Sequence, residues 1–179
     1  SNLAKPYNFV WAGKLTNRKR PLDFVKALYI LLDRGFTSLK ASLVGDGDLI
    51  EAVQDEGREL IREGILRCTG FVNYSAMPSE FGQANVFVFT SENEPYGIVA
   101  TEAAASGAAL IVAEGIGCVG PDSSAQPGIN TITYSKGNVE ALADAMQLLL
   151  TDQGLCRQMQ AQSTAIAKNH DVSSASSII

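Results

Sequence analysis

Apolar and polar positions along the chain follow two alternating patterns. Short apolar runs of four to six residues are separated by longer segments in which apolar positions recur every three to four residues. The first pattern predicts β-strands and the second predicts amphipathic α-helices. The predicted strands are residues 7–12, 39–44, 65–69, 86–89, 109–112 and 129–134.

The helical segments carry recognisable start and stop signals. Pro21 suits a first helical position, Asn138 suits an N-cap, and Gly107 suits the position just after a helix end. The Ser-rich residues 171–176 predict a fraying end or the truncated start of a longer segment. The predicted helices are residues 21–34, 48–63, 97–105, 139–150 and about 155–168, with a single helical turn in residues 77–82.

This alternation of strands and helices predicts the fold class. A repeated strand–helix order produces an α/β domain with a parallel sheet, here a Rossmann-like, doubly wound sheet of about six strands. The expected domain is a single unit over residues 1–179. Because the crossovers are right-handed, every loop from a strand to a helix lies at the carboxyl edge of the sheet, where such folds bind ligands.

Composition excludes several classes of function. The 179 residues are 46% apolar and 18% charged, with a net charge of −5, which indicates a folded chain rather than a disordered one. The acidic balance argues against nucleic acid and anionic membrane as general partners. No apolar run approaches the ~20 residues of a membrane span, and no signal peptide opens the chain. We therefore expect a cytoplasmic domain.

Cysteine and histidine are too sparse for the usual metal sites. Cys68, Cys118 and Cys156 lie far apart without a C-x-x-C motif, which favours reduced and mostly buried thiols. The single histidine, His170, stands beside Asp171 in a polar tail. Neither a zinc site nor a Ser-His-Asp hydrolase is well supported, so we predict no metal and no cofactor.

The loop after the first strand is basic. Four of the 14 basic residues, Lys14, Arg18, Lys19 and Arg20, fall within seven positions between Gly13 and the helix start. Backbone N–H groups at a helix N-terminus together with lysine charges suit an anion, although a solvated basic loop explains the same residues. The motifs G-x-x-x-x-G-K-[ST] and G-x-G-x-x-G are both absent here.

The loop after the second strand reads Gly45-Asp46-Gly47. Glycines at this place permit a close approach of the backbone to a ligand, and a plain turn explains them equally well.

The most specific feature lies between the fourth strand and the following helix. Glu94 and Glu102 are eight positions apart, Glu94 in the loop and Glu102 on the second turn of a helix that begins near Gly97. Carboxylates accept hydrogen bonds from sugar hydroxyls, and the free N–H groups of Gly97 and Ile98 suit phosphate oxygens. This combination indicates a nucleotide-sugar. Two carboxylates favoured by the helix dipole are the alternative.

The ordered set of these motifs resembles a known family. It comprises Gly13-Lys14-Leu15 with Lys19, then Val44 to Gly47, Gly70-Phe71-Val72, Ser91-x-x-Glu94-Pro95-Tyr96-Gly97, and Glu102-Ala103 with Gly107. This pattern is similar to the C-terminal domain of group 1 retaining GT-B glycosyltransferases. The resemblance covers nearly the whole chain, from about Phe9 to the last helices, and it implies one half of a GT-B fold.

The resemblance implies a role for each matching position. Lys14 and Lys19 match the residues that hold the donor diphosphate, Glu94 the one that contacts the donor sugar, and Glu102 the one that contacts the ribose. These three, Lys14, Lys19 and Glu94, are the implied catalytic set, in a family that generally works without a bound metal. The other implied donor-binding residues are Gly13, Gly45, Asp46, Gly47, Val72, Pro95, Tyr96, Gly97 and Ile98.

Three positions depart from the pattern of the family. Lys14 stands where arginine is more usual, which keeps the charge but loses the bidentate fork. Arg20 replaces a glycine that is common after the second basic residue. Residues 116–126 follow the corresponding loop of the family only loosely.

The resemblance also shapes what we expect of the chain as a whole. The N-terminal acceptor domain of such an enzyme is absent, so we expect a donor-binding half that binds nucleotide-sugar and transfers nothing by itself. The whole enzyme is expected to serve polysaccharide or glycoconjugate synthesis. Its oligomeric state and any peripheral membrane association are left open. The alternatives are a GT-B nucleotide-sugar 2-epimerase, a non-catalytic nucleotide-sugar-binding module and, less well supported, a receiver-type signalling domain.

Overall fold

A computed structural model describes the backbone of residues 6–176 and the side chains of residues 6–169. Within this range the chain forms one six-stranded sheet whose strands are all parallel, with helices on both faces. This confirms the predicted α/β, Rossmann-like class. The strands are β1 (Tyr7–Ala12), β2 (Leu39–Val44), β3 (Leu66–Cys68), β4 (Val86–Phe89), β5 (Ala109–Ala113) and β6 (Thr131–Tyr134).

The strand order is β3-β2-β1-β4-β5-β6, so the direction of winding reverses between β1 and β4. Phe9 of β1 pairs with Ala41 of β2 on one side and with Val86 of β4 on the other. In open sheets of this kind, ligands bind outside the carboxyl ends of the strands at the point of reversal. The loops after β1 and β4 therefore enclose the expected site.

The helices lie where the sequence predicts them, with two differences. The structure has α1 (Pro21–Asp33), α2 (Ile50–Glu56), α3 (Arg58–Arg62), α4 (Met77–Phe81), α5 (Ile98–Ala105), α6 (Val139–Thr151) and α7 (Gln153–Ser176), with short 3-10 turns at Asn17–Lys19 and Tyr74–Ala76. Pro21 opens α1, and Asn138 caps α6 by accepting a hydrogen bond from the N–H of Ala141 at 3.0 Å. Gly107, with φ of +90°, follows the end of α5 as predicted.

The first difference is that the single helix predicted over residues 48–63 is wrong. Two helices, α2 and α3, meet at Gly57. Gly57 is buried, and a Cβ there would lie 2.9 Å from Leu66 Cδ2 and 3.0 Å from the carbonyl oxygen of Val53. The close packing of this junction against β3 therefore requires a residue without a side chain.

The second difference concerns the end of the chain. Residues 171–176 continue α7 instead of fraying, because this stretch contains neither glycine nor proline to stop a helix. The side chains of His170 and Asp171 lie outside the described residues. No helix in the described part of the chain is both long enough and apolar enough to cross a membrane.

The sheet separates two apolar clusters of different character. One cluster, here called the large-residue face, packs Phe9 and Trp11 of β1 against the bulky side chains of α1 and α6. The other, here called the small-residue face, covers Phe87 and Phe89 of β4 with the alanines of α5. The helix side chains of the large-residue face include Phe24, Leu28, Leu31, Leu142, Met146 and Leu149. Those of the small-residue face are Ala100, Ala103 and Ala104 of α5, with Phe81 of α4 at its edge.

Candidate functional site

The loops that follow β1, β2 and β3 are joined by backbone hydrogen bonds at the carboxyl edge. The N–H of Gly13 donates to the carbonyl of Val44 at 3.0 Å, and the N–H of Leu15 donates to that of Asp46 at 2.9 Å. The N–H of Gly45 in turn donates to the carbonyl of Gly70 at 3.0 Å. Three of the predicted motifs therefore form one continuous rim.

Gly45 is the residue that makes this contact sterically possible. Its φ is +136°, and a Cβ at this position would lie 1.9 Å from the carbonyl oxygen of Gly13. The glycine thus allows the second loop to approach the first loop. Direct contact of Gly45, Asp46 or Gly47 with a ligand stays a prediction.

A cleft of about 410 Å³ opens between these loops and the start of α5. Its walls are mostly apolar, and Lys14 and Asp46 are its charged residues, both exposed. Lys14 makes no ion pair with any described residue. The cleft therefore combines apolar walls with a cation available for an anionic group. It is lined by Ala12, Gly13, Lys14, Val44, Gly45, Asp46, Phe71, Val72, Met77 and Val99.

Lys19, the second predicted cation, faces the first predicted carboxylate. Its ammonium group forms an ion pair with Glu94 and lies 5.6 Å from the centre of the Phe89 ring. Only 15% of the Lys19 side chain and 18% of the Glu94 side chain are exposed. A weakly hydrated pair of this kind interacts more strongly than one on an open surface. Because the two residues lie 75 positions apart, their pairing could not be predicted from the sequence.

A buried hydroxyl fixes the turn that carries Lys19. Thr90 Oγ1 accepts a hydrogen bond from the indole N–H of Trp11 at 2.9 Å. The same hydroxyl shares its one proton between two carbonyl oxygens, that of Lys19 at 2.6 Å and that of Arg20 at 3.0 Å. Thr90 and Trp11 are both fully buried. Sequence reasoning missed both residues, because a tryptophan inside a strand pattern indicates only a core and a threonine at a strand end indicates only a turn.

Arg20 explains one departure from the family pattern. It has φ of +51° and is the only residue other than glycine with a positive φ in the described part of the chain. A left-handed conformation costs a side-chain-bearing residue roughly 1–2 kcal/mol, which accounts for glycine at this position in relatives of this kind. Here the guanidinium binds Asp23 at 2.7 Å and also Glu92, and these carboxylates raise the pKa of Arg20. The ion pairs offset the backbone strain.

The loop containing Glu94 is held from behind by the turn after β5. The N–H of Gly117 donates to the carbonyl of Glu94 at 2.8 Å. A Cβ on Gly117 would lie 1.6 Å from the carbonyl oxygen of Pro95, and a Cβ on Gly97 would lie 2.4 Å from Cys118 Sγ. Burial raises the pKa of Cys118 to about 11, so a neutral thiol packs against the loop. Residues 116–118, though unlike the family loop, therefore have a clear structural role.

Helix α5 begins at Ile98, with Gly97 at the N-cap in a left-handed conformation of φ +58°. The first N–H groups of any helix have no partner within the helix, and the dipole favours an anion beside them. Ile98 is exposed at this point. The helix start confirms the predicted geometry, in which Glu94 precedes the helix and Glu102 lies on its second turn.

Glu102 has a partner that the sequence did not reveal. The hydroxyl of Tyr74 donates a hydrogen bond to Glu102 Oε1 at 3.0 Å, and this bond raises the pKa of Tyr74. Glu102 and Tyr74 line a hollow of about 230 Å³ with Met77 and Phe81. Met77 also lines the larger cleft, so the two spaces are neighbours.

Tyr96 is placed differently from the other predicted residues. It is exposed, and with Thr101 and Cys118 it lines a separate cavity of about 420 Å³ bounded by α5, the turn after β5 and α7. Its contact with a donor stays a prediction. The searched part of the chain contains no group of three or more His, Cys, Asp or Glu side chains that could hold a metal ion.

Comparisons with known proteins agree with this geometry. A family model described as glycosyl transferases group 1 matches residues 2–165. An uncharacterized glycosyltransferase of Methanocaldococcus jannaschii is 28% identical over 146 residues, which are 81% of this chain and 36% of that protein. The 2-deoxystreptamine N-acetyl-D-glucosaminyltransferase of Niallia circulans is 24% identical over 154 residues, 86% of this chain and 39% of that protein.

Solved structures show the same fold. The crystal structure of Anabaena HepE in complex with UDP superimposes with a TM-score of 0.78 at 19% identity, over 98% of this chain and 50% of that one. Its likeness to this chain is one of architecture and matches a domain of a GT-B glycosyltransferase. The chain spans less than two fifths of the length of the two curated relatives named above.

Proposed function

The chain belongs to the group 1 family of glycosyl transferases, and from this membership we propose that it is the half of such an enzyme that binds the sugar donor. The donor is a nucleoside-diphosphate sugar, and the reaction moves the sugar to an acceptor with retention of configuration. The observation that carries the proposal is the meeting of a basic loop and a carboxylate loop, through Lys19 and Glu94, at the point where the sheet reverses its winding.

The diphosphate is assigned to the cations of the first loop and the start of α5. Lys14 has no ion-pair partner in the described chain and lines the cleft, and Lys19 lies next to the loop that leads into α5. The unpartnered N–H groups at Ile98 and the residues after it add donors and a favourable dipole. Two lysines and a helix N-terminus can together balance an anion of about two charges.

The sugar is assigned to Glu94. Its carboxylate is a strong acceptor for hydroxyl groups, and the hydrogen bond from Gly117 to its carbonyl holds the loop in place. Because Lys19 is paired with Glu94, an incoming diphosphate has to draw the ammonium group toward itself. Arrival of the donor therefore converts a lysine–glutamate pair into a lysine–phosphate contact and a free carboxylate for the sugar.

The nucleoside is assigned to the cleft and to Glu102. Phe71, Val72 and Val99 offer apolar surface of the kind that binds a base, and Glu102 offers an acceptor for the ribose. The structural neighbour from Anabaena was solved with UDP, which supports a nucleoside diphosphate as the ligand class.

The chemical step places negative charge on the departing nucleoside diphosphate as the bond to the sugar breaks. Lys14, Lys19 and the N-terminus of α5 offset this charge in the transition state, in a transfer that we propose is independent of metal. Removal of one such contact typically lowers the rate on the order of 10²–10³-fold. Acceptor binding belongs to the other half of the enzyme, so we propose that this half alone binds donor without transferring it.

Calorimetric titration of the chain with UDP, GDP and ADP tests the proposal. We expect one of them to bind and to raise the melting temperature by mass action. Lys19→Ala and Glu102→Ala should each weaken this binding. Equal affinity of the wild type and both variants for the nucleotide would contradict the assignment, as would the absence of binding to any nucleotide.

Matched controls separate loss of a contact from loss of charge. Lys26→Ala removes an exposed lysine on α1, and Glu51→Ala removes an exposed glutamate on α2. Both should leave nucleotide affinity unchanged. In the whole enzyme, transfer measured with EDTA and with added Mg²⁺ tests metal independence, and the configuration of the product, read by NMR, tests retention.

A further inference from the structure

Tyr74 makes a hydrogen bond to Glu102, the glutamate assigned to the ribose. It opens the 3-10 turn Tyr74–Ala76, two residues after the loop that lines the cleft. Its ring is 78% exposed, yet its hydroxyl donates to Glu102 Oε1 at 3.0 Å. Within the described chain, the Glu102 carboxylate has no other hydrogen-bond or ion-pair partner.

The backbone around Tyr74 fixes where its hydroxyl lies. The N–H of Ala76 donates to the carbonyl of Asn73 at 2.9 Å, and α4 follows at once with Pro78 near its start. A tyrosine has only two side-chain torsions, so an ordered backbone leaves its hydroxyl few positions. Glutamate has three torsions and loses more rotamer freedom when it is held in one orientation.

One oxygen of the Glu102 carboxylate is thus occupied and the other is available. Because Tyr74 can only donate to a carboxylate, the contact fixes the side chain without neutralising its charge. A carboxylate already held in its binding orientation does not incur the ordering cost when a ligand arrives. A hydroxyl that approaches from the cleft, which Met77 shares with this hollow, would find Oε2 as its acceptor.

We propose that Tyr74 is a positioning residue that presents Glu102 to the ribose of the donor, and so contributes to the preference for ribonucleotides. The inference rests on the proposed function, since it takes Glu102 as the ribose acceptor. Tyr74 itself does not touch the reacting atoms. Its contribution is therefore visible only with ligands that carry the ribose hydroxyl facing Glu102.

The test is a thermodynamic cycle between a protein hydroxyl and a ligand hydroxyl. Affinities of the wild type and of Tyr74→Phe are measured for the nucleoside diphosphate that binds and for its 2′-deoxy and 3′-deoxy forms. We expect Tyr74→Phe to weaken binding of the ribonucleotide about 3- to 10-fold, in line with the net contribution of one typical hydrogen bond. At least one deoxy form should show no such loss. In a Glu102→Ala background, Tyr74→Phe should have no further effect.

The control is Tyr29→Phe, which removes another exposed tyrosine hydroxyl bond, to the carbonyl of Glu56 at 2.9 Å and far from the cleft. It should change no affinity. An equal loss for ribonucleotide and both deoxy forms would overturn the inference, and so would tighter binding, which would mean that Tyr74 competes with the ribose. If Glu102→Ala weakens binding but Tyr74→Phe does not, only the inference fails. If no nucleotide binds the wild type, the proposed function fails with it.

Discussion

The two faces of the sheet achieve burial by opposite means. The large-residue face fills its space with Phe24, Leu142 and similar side chains, which pack against Phe9 and Trp11 of β1. The small-residue face uses Ala100, Ala103 and Ala104 of α5, so helix and strand backbones approach closely. On the first face, large buried side chains stabilise the fold. On the second face, less area is buried, but the distances between helix and strand backbones are short and well defined.

The candidate site lies on the side where distances are short. Glu102 belongs to α5, the alanine helix, and Glu94 belongs to the loop that is pressed between Gly117 and the helix start. A backbone that nearly touches its neighbour has little freedom to shift, which is useful for groups that must meet a ligand at a fixed distance. The comparison teaches that the bulky helix residues set much of the stability of this domain, whereas the small residues in and around α5 set where Glu94 and Glu102 lie.

The largest expected effect is on stability at the large-residue face. Leu142→Ala removes a fully buried side chain of α6 and should lower the free energy of unfolding by about 2–5 kcal/mol. Nucleotide affinity of the protein that remains folded should be unchanged. Denaturant unfolding and titration check the two statements, and Leu148→Ala, on the exposed side of the same helix, is the control. Loss of nucleotide affinity in folded Leu142→Ala would contradict the assignment of stability to one face and of site geometry to the other.

The next effect is on activity and comes from the turn behind the site. Gly117→Ala puts a Cβ 1.6 Å from the carbonyl of Pro95, so the loop of Glu94 must move by more than an ångström. A displacement of this size can lower the rate of transfer by the whole enzyme about 10²-fold. Gly154→Ala, at the start of α7, serves as control because its nearest contact is a side-chain oxygen at 3.3 Å. Wild-type activity of Gly117→Ala would show that the loop tolerates displacement.

Overpacking of the small-residue face should affect stability and binding together. Ala103→Leu inserts three carbon atoms beneath α5, where Ala103 is fully buried, and should cost about 1–3 kcal/mol in the free energy of unfolding. Because α5 must move away from the sheet, Glu102 moves with it and nucleotide affinity should fall. Ala161→Leu, at an exposed position of α7, is the matched variant that should do neither. Unchanged affinity in Ala103→Leu would separate the position of α5 from ligand binding.

The smallest effect has an unusual sign. Glu94→Gln keeps the shape of the side chain but releases Lys19, so affinity for the nucleoside diphosphate without sugar should rise, by about fivefold or less, while transfer falls. The gain should shrink with added salt. Glu80→Gln breaks a comparable ion pair with Arg67 away from the site and should change nothing. Weaker binding of the diphosphate by Glu94→Gln would mean that the carboxylate does not compete for Lys19.

Much of this architecture could be predicted because it depends on local patterns. Strand runs such as residues 86–89, the cap at Asn138 and the helix start near Gly97 follow from spacing and residue type alone. The break at Gly57 depends on how closely α2 and α3 approach β3, and the pattern of apolar residues does not encode that distance. The continuation of α7 through residues 171–176 agrees with the absence of glycine and proline there, a signal that the serine-rich composition of the stretch obscures.

The candidate site was predictable as a set of residues but not as a set of contacts. Sequence order placed Lys19, Glu94 and Glu102 after the correct strands. It could not show that Lys19 pairs with Glu94, or that Tyr74 donates to Glu102, since these partners are 75 and 28 positions apart. Such contacts depend on side-chain direction in the folded chain. A tyrosine in a polar loop carries no signal that its hydroxyl will meet a carboxylate.

The hydrogen bond between Trp11 and Thr90 makes the intrinsic fluorescence of the protein sensitive to the candidate site. Trp11 is the single tryptophan of the chain, and its indole N–H is one hydroxyl away from the carbonyl of Lys19. Its ring also lies beneath Gly13, 3.3 Å from where a Cβ on that glycine would be. All indole fluorescence therefore originates directly under the loop that carries both cations, Lys14 and Lys19. Whatever ligand moves the Lys19 turn should change the emission of this one fluorophore, with no label attached and no background from a second one.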